Sequence, residues 1–241
     1  MKDYSLYRLG GVCSVLVGVS YVVIGVTELL MPQEYTLEQN ARVPLMFFQE
    51  NQALFIGQWS AMLWGAVLAL AVVPAVSAKV QVLSEGWVRW TSTLATLGLA
   101  VTIIDNYWAV VLTPAIARTY MAGNEVTRIA MNTPGSALQI DVRGWLQWGA
   151  VGLWVLVVNI LALRANTWPR LLSYLGIATA IGYLLVLASA VIPALSGIIL
   201  LVAGIGGIVL GPIWYGWMGV MLLRTGRQAE NATSKTAVLN T

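Results

Sequence analysis

The chain has 241 residues, 59% of them hydrophobic before its 23 glycines are counted, and only 10% charged. A soluble domain carries ~45–50% apolar residues with glycine included and ~25% charged, and a globule of this size has too much surface to hide the excess apolar side chain found here. The mean hydropathy of +0.78 and the formal charge of only +3 exclude a disordered chain and a nucleic-acid binder with a basic face, and the single cysteine excludes a disulfide scaffold. The composition is that of an integral membrane protein.

What is missing narrows the chemistry. With no histidine, His-ligated haem, histidine-box di-iron oxidases, HExxH zinc sites and Ser-His-Asp triads are out. The single cysteine, Cys13, forms neither an internal disulfide nor a CxxC pair. The lysines are Lys2, Lys79 and Lys235, all outside the apolar runs, so no retinal Schiff base can form within a span. No GxxxxGK[ST] loop is present, which removes ATP-driven transport by this chain alone. No cofactor and no metal are expected.

Six apolar runs are long enough to cross a hydrocarbon layer of ~30 Å at ~1.5 Å per residue: Leu9–Met31, Ala53–Val73, Trp90–Leu112, Trp145–Leu163, Leu171–Ile192 and Gly197–Leu223. Unbroken apolar runs of this length predict helices, because a barrel alternates over ten-residue segments. The fold class expected is therefore all-α, an integral membrane bundle of six transmembrane helices. Pro32, Pro74, Pro114 and Pro193 fall at or near run ends and read as punctuation. Residues 224–241 are expected to be a polar, disordered tail.

In the first run Gly11, Ser14, Gly18, Tyr21, Gly25 and Glu28 recur at alternating intervals of three and four, which places them on one helical face. Small residues let backbones approach in lipid. The sixth run has Gly197, Gly204, Gly207 and Gly211, and the first and sixth helices are expected to pack along these faces, as a static seam or as a sliding one. Leu6-Tyr7-Arg8-Leu9-Gly10-Gly11 at the start, and Trp168-Pro169-Arg170 followed by Leu172 and Gly176 before the fifth run, resemble uncharacterised bacterial polytopic membrane proteins of the domain-of-unknown-function kind. That resemblance implies a bacterial plasma membrane and no particular chemistry.

With the N-terminus inside, the inner flanks carry Lys2, Arg8, Lys79, Arg89, Arg164, Arg170, Arg224, Arg227 and Lys235, and the outer ones Arg42, Arg118, Arg128 and Arg143. This bias predicts that both termini are cytoplasmic. The first run lacks an A-x-A-like site and reads as an uncleaved span. Two long outer loops are predicted, at Pro32–Gln52 and Thr113–Gly144. Phe47 and Phe48 in the first are expected to lie along the interface, and the second to hold a short helix near Ala115–Met131. Pro193–Ser196 is so short that the last two helices are expected to form an antiparallel hairpin.

An acidic side chain in hydrocarbon costs ~2.5–3.5 kcal/mol on an insertion scale and so faces protein or water. Asp105 is the one ionisable residue well inside a run, roughly 6 Å outward of the midpoint of the third helix. Asn106 adjoins it, and Thr102 and Trp108 flank it at helical spacing. Glu28, Gln58 and Gln147 lie in the outer halves of three other helices, so four helices can send polar groups toward one outward-opening pocket. Trp59 and Trp108 read either as core packing or as apolar walls of a ligand site beside Asp105. The alternatives for Asp105 are an ion pair with Arg143 or a hydrogen bond between helices.

Three functions compete on this reading. A small molecule binds in or passes through the pocket with Asp105 as its polar anchor; or the chain is a scaffold subunit whose surfaces meet other membrane proteins; or Asp105 is the general acid of an enzyme acting on a lipid or isoprenoid. The partners expected are the lipid bilayer and other membrane proteins, and not nucleic acid.

Overall fold

A computed structural model describes residues 3–31, 45–132, 140–141, 144–192, 199, 203–204 and 206–239. The described elements are helices: α1 (Asp3–Leu30), α2 (Leu45–Glu50), α3 (Gln52–Val80), a 3₁₀ turn (Gln81–Leu83), α4 (Glu85–Ala122) and α5 (Glu125–Asn132). A π turn (Trp145–Ala150) then leads into α6 (Val151–Ala165), followed by α7 (Arg170–Val191) and by a second π turn (Gly206–Leu210) leading into α8 (Gly211–Leu239). Six of these are long and apolar enough to cross a membrane: Tyr4–Leu30, Gln52–Leu83, Glu85–Ala122, Trp145–Ala165, Arg170–Ala188 and Gly206–Asn231. The protein is an all-α multi-pass membrane bundle. Helices close the bundle because lipid offers no partner to an unpaired backbone group.

Several boundaries differ from the sequence reading. Pro74 and Pro114 lie inside α3 and α4 instead of ending them. A proline within a span removes one intrahelical bond, and the surrounding helices support the backbone there. The third span consequently runs on through Ala122, a helix of 38 residues and about 57 Å. The short helix expected near 115–131 is reduced to α5, after a break at Gly123-Asn124. The residues from 224 onward, read as a disordered tail, continue α8 as helix through Leu239. Arg8 reaches Glu230 at 3.4 Å, and a Cβ on Gly226 would lie 3.3 Å from the Tyr4 carbonyl, so this extension packs against the first turns of α1. The linker Pro193–Ser196, and with it the expected tight hairpin, lies outside the described residues.

The helices form a closed ring in which each packs on the next in the order α1, α3, α4, α6, α7, α8, with α8 returning to α1. Along α1 and α8 the backbones nearly touch. A Cβ on Gly18 would come 3.1 Å from the Pro212 carbonyl, and one on Gly11 3.0 Å from that of Gly219. Ser14 donates its hydroxyl to the Tyr215 carbonyl at 2.6 Å. At Gly25 the neighbour is the Ile208 side chain. The partners on the α8 side are thus Pro212, Gly216 and Gly219. Of the glycines singled out in the sixth run, Gly207 and Gly211 face Tyr183, Gly211 also meets Tyr21, among the described residues nothing lies within 4 Å of a Cβ on Gly204, and Gly197 lies outside the described residues.

The core is aromatic as well as aliphatic. Trp154 and Trp214 are buried and meet edge to face at 6.2 Å. Each indole N–H has a partner: Trp154 donates to Ser77 at 3.0 Å and Trp214 to Asn159 at 3.3 Å. Tyr183 donates to the Tyr21 hydroxyl at 2.7 Å, and Tyr21 stacks on Tyr215 at 5.6 Å. Aromatic side chains buried in this way bring large contact area while their polar atoms stay satisfied.

Candidate functional site

The polar residues expected to converge do not all meet. They divide into two clusters at the end of the bundle where α1 finishes and α3 and the π turn of the fourth span begin.

In the smaller cluster Gln58, buried on α3, donates its amide to the Glu28 carboxylate on α1 at 2.6 Å. Beside these helices lies an aromatic group that the sequence did not predict. Phe48 on α2 is fully buried and packs with Phe55 at 5.9 Å and with Trp59 at 5.7 Å, and Met31 and Ala117 complete the cluster. Phe48 therefore does not lie along the interface: α2 folds in over the start of α3 and against the extension of α4. Trp59 is part of this packing. Trp108 is half-buried on α4, and Glu50 is exposed.

Asp105 organises the larger cluster. It is 9% exposed, and both carboxylate oxygens accept hydrogen bonds. The backbone N–H of Ile140 donates to Oδ1 at 3.0 Å, while the backbone N–H of Asp141 at 3.4 Å and the side-chain amide of Gln147 at 2.8 Å donate to Oδ2. Asn106 turns its amide back to the Thr102 carbonyl of its own helix. Arg143, one expected partner of Asp105, lies outside the described residues. Burial of the carboxylate is offset by these donors, since a hydrogen bond to a charged group contributes ~1.5–3 kcal/mol net.

Asp141 is the residue sequence reasoning missed. Its carboxylate receives the backbone N–H groups of Trp145, Leu146 and Gln147 at 2.9, 2.6 and 2.9 Å, satisfying the donors that every helix start leaves without a partner. Gly144 closes the turn at φ +69°, a conformation that favours glycine. An Asp a few residues ahead of an apolar run, with Gly immediately before it, is a helix-start signal. The run after it opens as a π turn, a feature that recurs at functional sites. Gly98 on α4 has no side chain to hold off the Leu146 carbonyl, so the π turn lies directly on the third span.

That turn aims Gln147 and Trp148 at a partly open cavity of about 50 Å³ bordered by α1, α3, α4 and the fourth span. Its polar lining is Ser20 and Tyr21 from α1, Thr102 from α4, and Gln147; the remaining walls, such as Met62 and Val151, are largely apolar, with Tyr215 reaching in from α8. Asp105, Asn106, Glu28, Gln58, Trp59 and Trp108 are not among the lining residues. Of the side chains expected to bind a ligand, only Gln147 borders this space, and Asp105 is coupled to it through the Gln147 amide. Among the described residues no cluster of acidic or cysteine side chains is arranged to hold a metal ion.

Neither a curated protein nor a solved structure matches the chain. A family model does match, over residues 16–226, which reach from the middle of α1 into α8 and include every residue of the cavity. The chain belongs to the family described as a domain of unknown function, DUF4386.

Proposed function

We propose that this multi-pass protein binds a small, uncharged, mainly apolar molecule within the bundle, in the cavity between α1, α3, α4 and the fourth span. The observation carrying the reading is the cavity itself. It combines apolar walls with a few neutral polar groups, the usual make-up of a small-molecule site. The basic residues favour cytoplasmic termini, which puts the Asp105 end, and with it the cavity's polar side, toward the outside; the resemblance to bacterial polytopic proteins favours a bacterial plasma membrane. In this reading Asp105 is a support for the site and not the anchor of the ligand, because its oxygens already serve the backbone at 140–141 and the Gln147 amide.

The test is photolabelling of the full chain in lipid nanodiscs with a short diazirine-bearing hydrocarbon. Labels are expected on cavity residues such as Ile24 and Met62, and Ala61→Leu, which fills the space, removes them. Labelling confined to lipid-facing positions such as Leu16 and Val19, equal in wild type and variant, overturns the reading.

A further inference from the structure

We infer that the cavity selects small uncharged molecules bearing a hydroxyl at one end, of the short-chain alcohol kind, and that Asp105 sets this preference by fixing the Gln147 amide. The inference rests on the binding reading above and adds the chemical class of the ligand.

Gln147 has two faces to offer, an NH₂ donor and a carbonyl acceptor, and a free amide can present either. The Asp105 carboxylate accepts from Gln147 Nε2 at 2.8 Å, and it receives backbone N–H groups at the same time. With its nitrogen committed to a carboxylate, the amide turns Oε1 the other way. Among the described residues no group donates to Oε1, while Gln147 lines the cavity.

Two hydroxyls on the lining are committed in a similar way. Thr102 donates its proton to the Gly98 carbonyl at 2.9 Å, and Ser20 donates to that of Leu16 at 3.1 Å. Both hydroxyls thus retain lone pairs only. Tyr21 receives the proton of Tyr183, which leaves its own O–H without a described partner. The site therefore offers acceptors on Gln147, Thr102 and Ser20, with donors on Tyr21, on Tyr215 and on the Trp148 indole. None of the described lining residues is Asp, Glu, Lys or Arg.

A ligand hydroxyl matches this set, since it gives one proton and accepts another. A carboxylate can accept from the tyrosines and the indole, but it has no proton for the Gln147 oxygen, which repels it, and no counter-charge on the wall offsets its lost hydration. An ammonium loses its hydration with no counter-charge on the cavity wall and has nothing to accept from Tyr21. An ether of the same length accepts from Tyr21 and leaves Gln147 Oε1 unpaired, a loss of about tenfold in affinity for one buried hydrogen bond.

The experiment compares diazirine probes of equal chain length, ending in a hydroxyl, a methyl ether, a carboxylate or an amine, on the full chain in nanodiscs. The alcohol is expected to label Ile24 or Met62 about tenfold more than the ether does. Gln147→Met, which keeps the bulk and removes the acceptor, brings that ratio close to one while labelling continues. Asp105→Asn is expected to lower the ratio too, because an amide opposite Gln147 no longer dictates which way it turns. Should Asp105→Asn fail to fold, Gln147→Met decides. An alcohol-to-ether ratio near one in wild type, a ratio unchanged in Gln147→Met, or a preference for the acid or the amine overturns the inference while leaving the cavity a binding site. Absence of any cavity labelling by all four probes, and by the plain hydrocarbon, instead overturns the binding reading on which it stands.

Discussion

Helix α1 has two faces that solve the same packing problem in opposite ways. Toward α8 it presents Gly11, Ser14 and Gly18, and the two backbones come so close that a single methyl group would meet a carbonyl oxygen. Toward α3 it approaches closely near its start, where Gly10 meets Ala71 and Ala75, and farther along it presents Val17, Ser20 and Ile24, larger side chains that border a cavity. Association in lipid depends on van der Waals contact and interhelical hydrogen bonds instead of expulsion of water. A seam of small residues maximises that contact. A face of mixed sizes forgoes some of it, and the space left over is where a ligand can supply the missing contacts.

Adding bulk is the direct way to separate the two faces. Gly18→Leu drives a side chain into the α8 backbone at Pro212 and Gly216, and is expected to destabilise the bundle by about 3 kcal/mol, the upper range for overpacking. Reversible unfolding in mixed micelles of lipid and SDS reads this, and a change under about 1 kcal/mol would show that the seam is not close-packed. Asp105→Ala acts on the cavity side without touching its volume. It leaves the N–H groups at 140 and 141 and the Gln147 amide without their acceptor, an expected loss of about 2 kcal/mol in the same assay. Hydrogen exchange should rise at the start of the fourth span in that variant; unchanged exchange there would place the support elsewhere. Ala61→Leu has the smallest effect. The same bulk that is intolerable at Gly18 enters existing space, so stability is expected to stay within about 1 kcal/mol of wild type. A loss as large as that of Gly18→Leu would mean that the cavity does not exist in the folded protein.

Much of this architecture was legible in the letters because the solvent is a strong filter. Runs of apolar residues at spanning length have one outcome in lipid, and the six runs appear as six helices with shifted ends. Gly11, Ser14, Gly18 and Gly25 were recognisable as a close-approach face from their spacing alone. The partners on the other side were not, because a helix's own periodicity does not reveal which of several small-residue faces a neighbour adopts; α8 uses Gly216 and Gly219 where Gly204, Gly207 and Gly211 were expected. Proline was misread as an end signal at 74 and 114 for a related reason. In water an unpaired carbonyl in the preceding turn favours breaking the helix, whereas within a membrane the cost of exposing more backbone keeps it going.

The candidate site shows the same division more sharply. Asp105 stood out because an acidic group among apolar residues must find donors, and its burial follows from that requirement alone. Which donors it finds depends on contacts across 35 and 42 positions of chain, at Ile140 and Gln147, and no local pattern encodes such a closure. Glu28 and Gln58, expected beside Asp105, form a pair of their own between α1 and α3, since a polar group in lipid pairs with whichever partner the packing brings within reach. Composition and periodicity therefore set the solvent, the class of fold and the need for each buried polar group to be paired. The pairings themselves, and the cavity they leave, arise from how six helices of unequal side-chain size close into a ring, a three-dimensional property that a one-dimensional pattern does not contain.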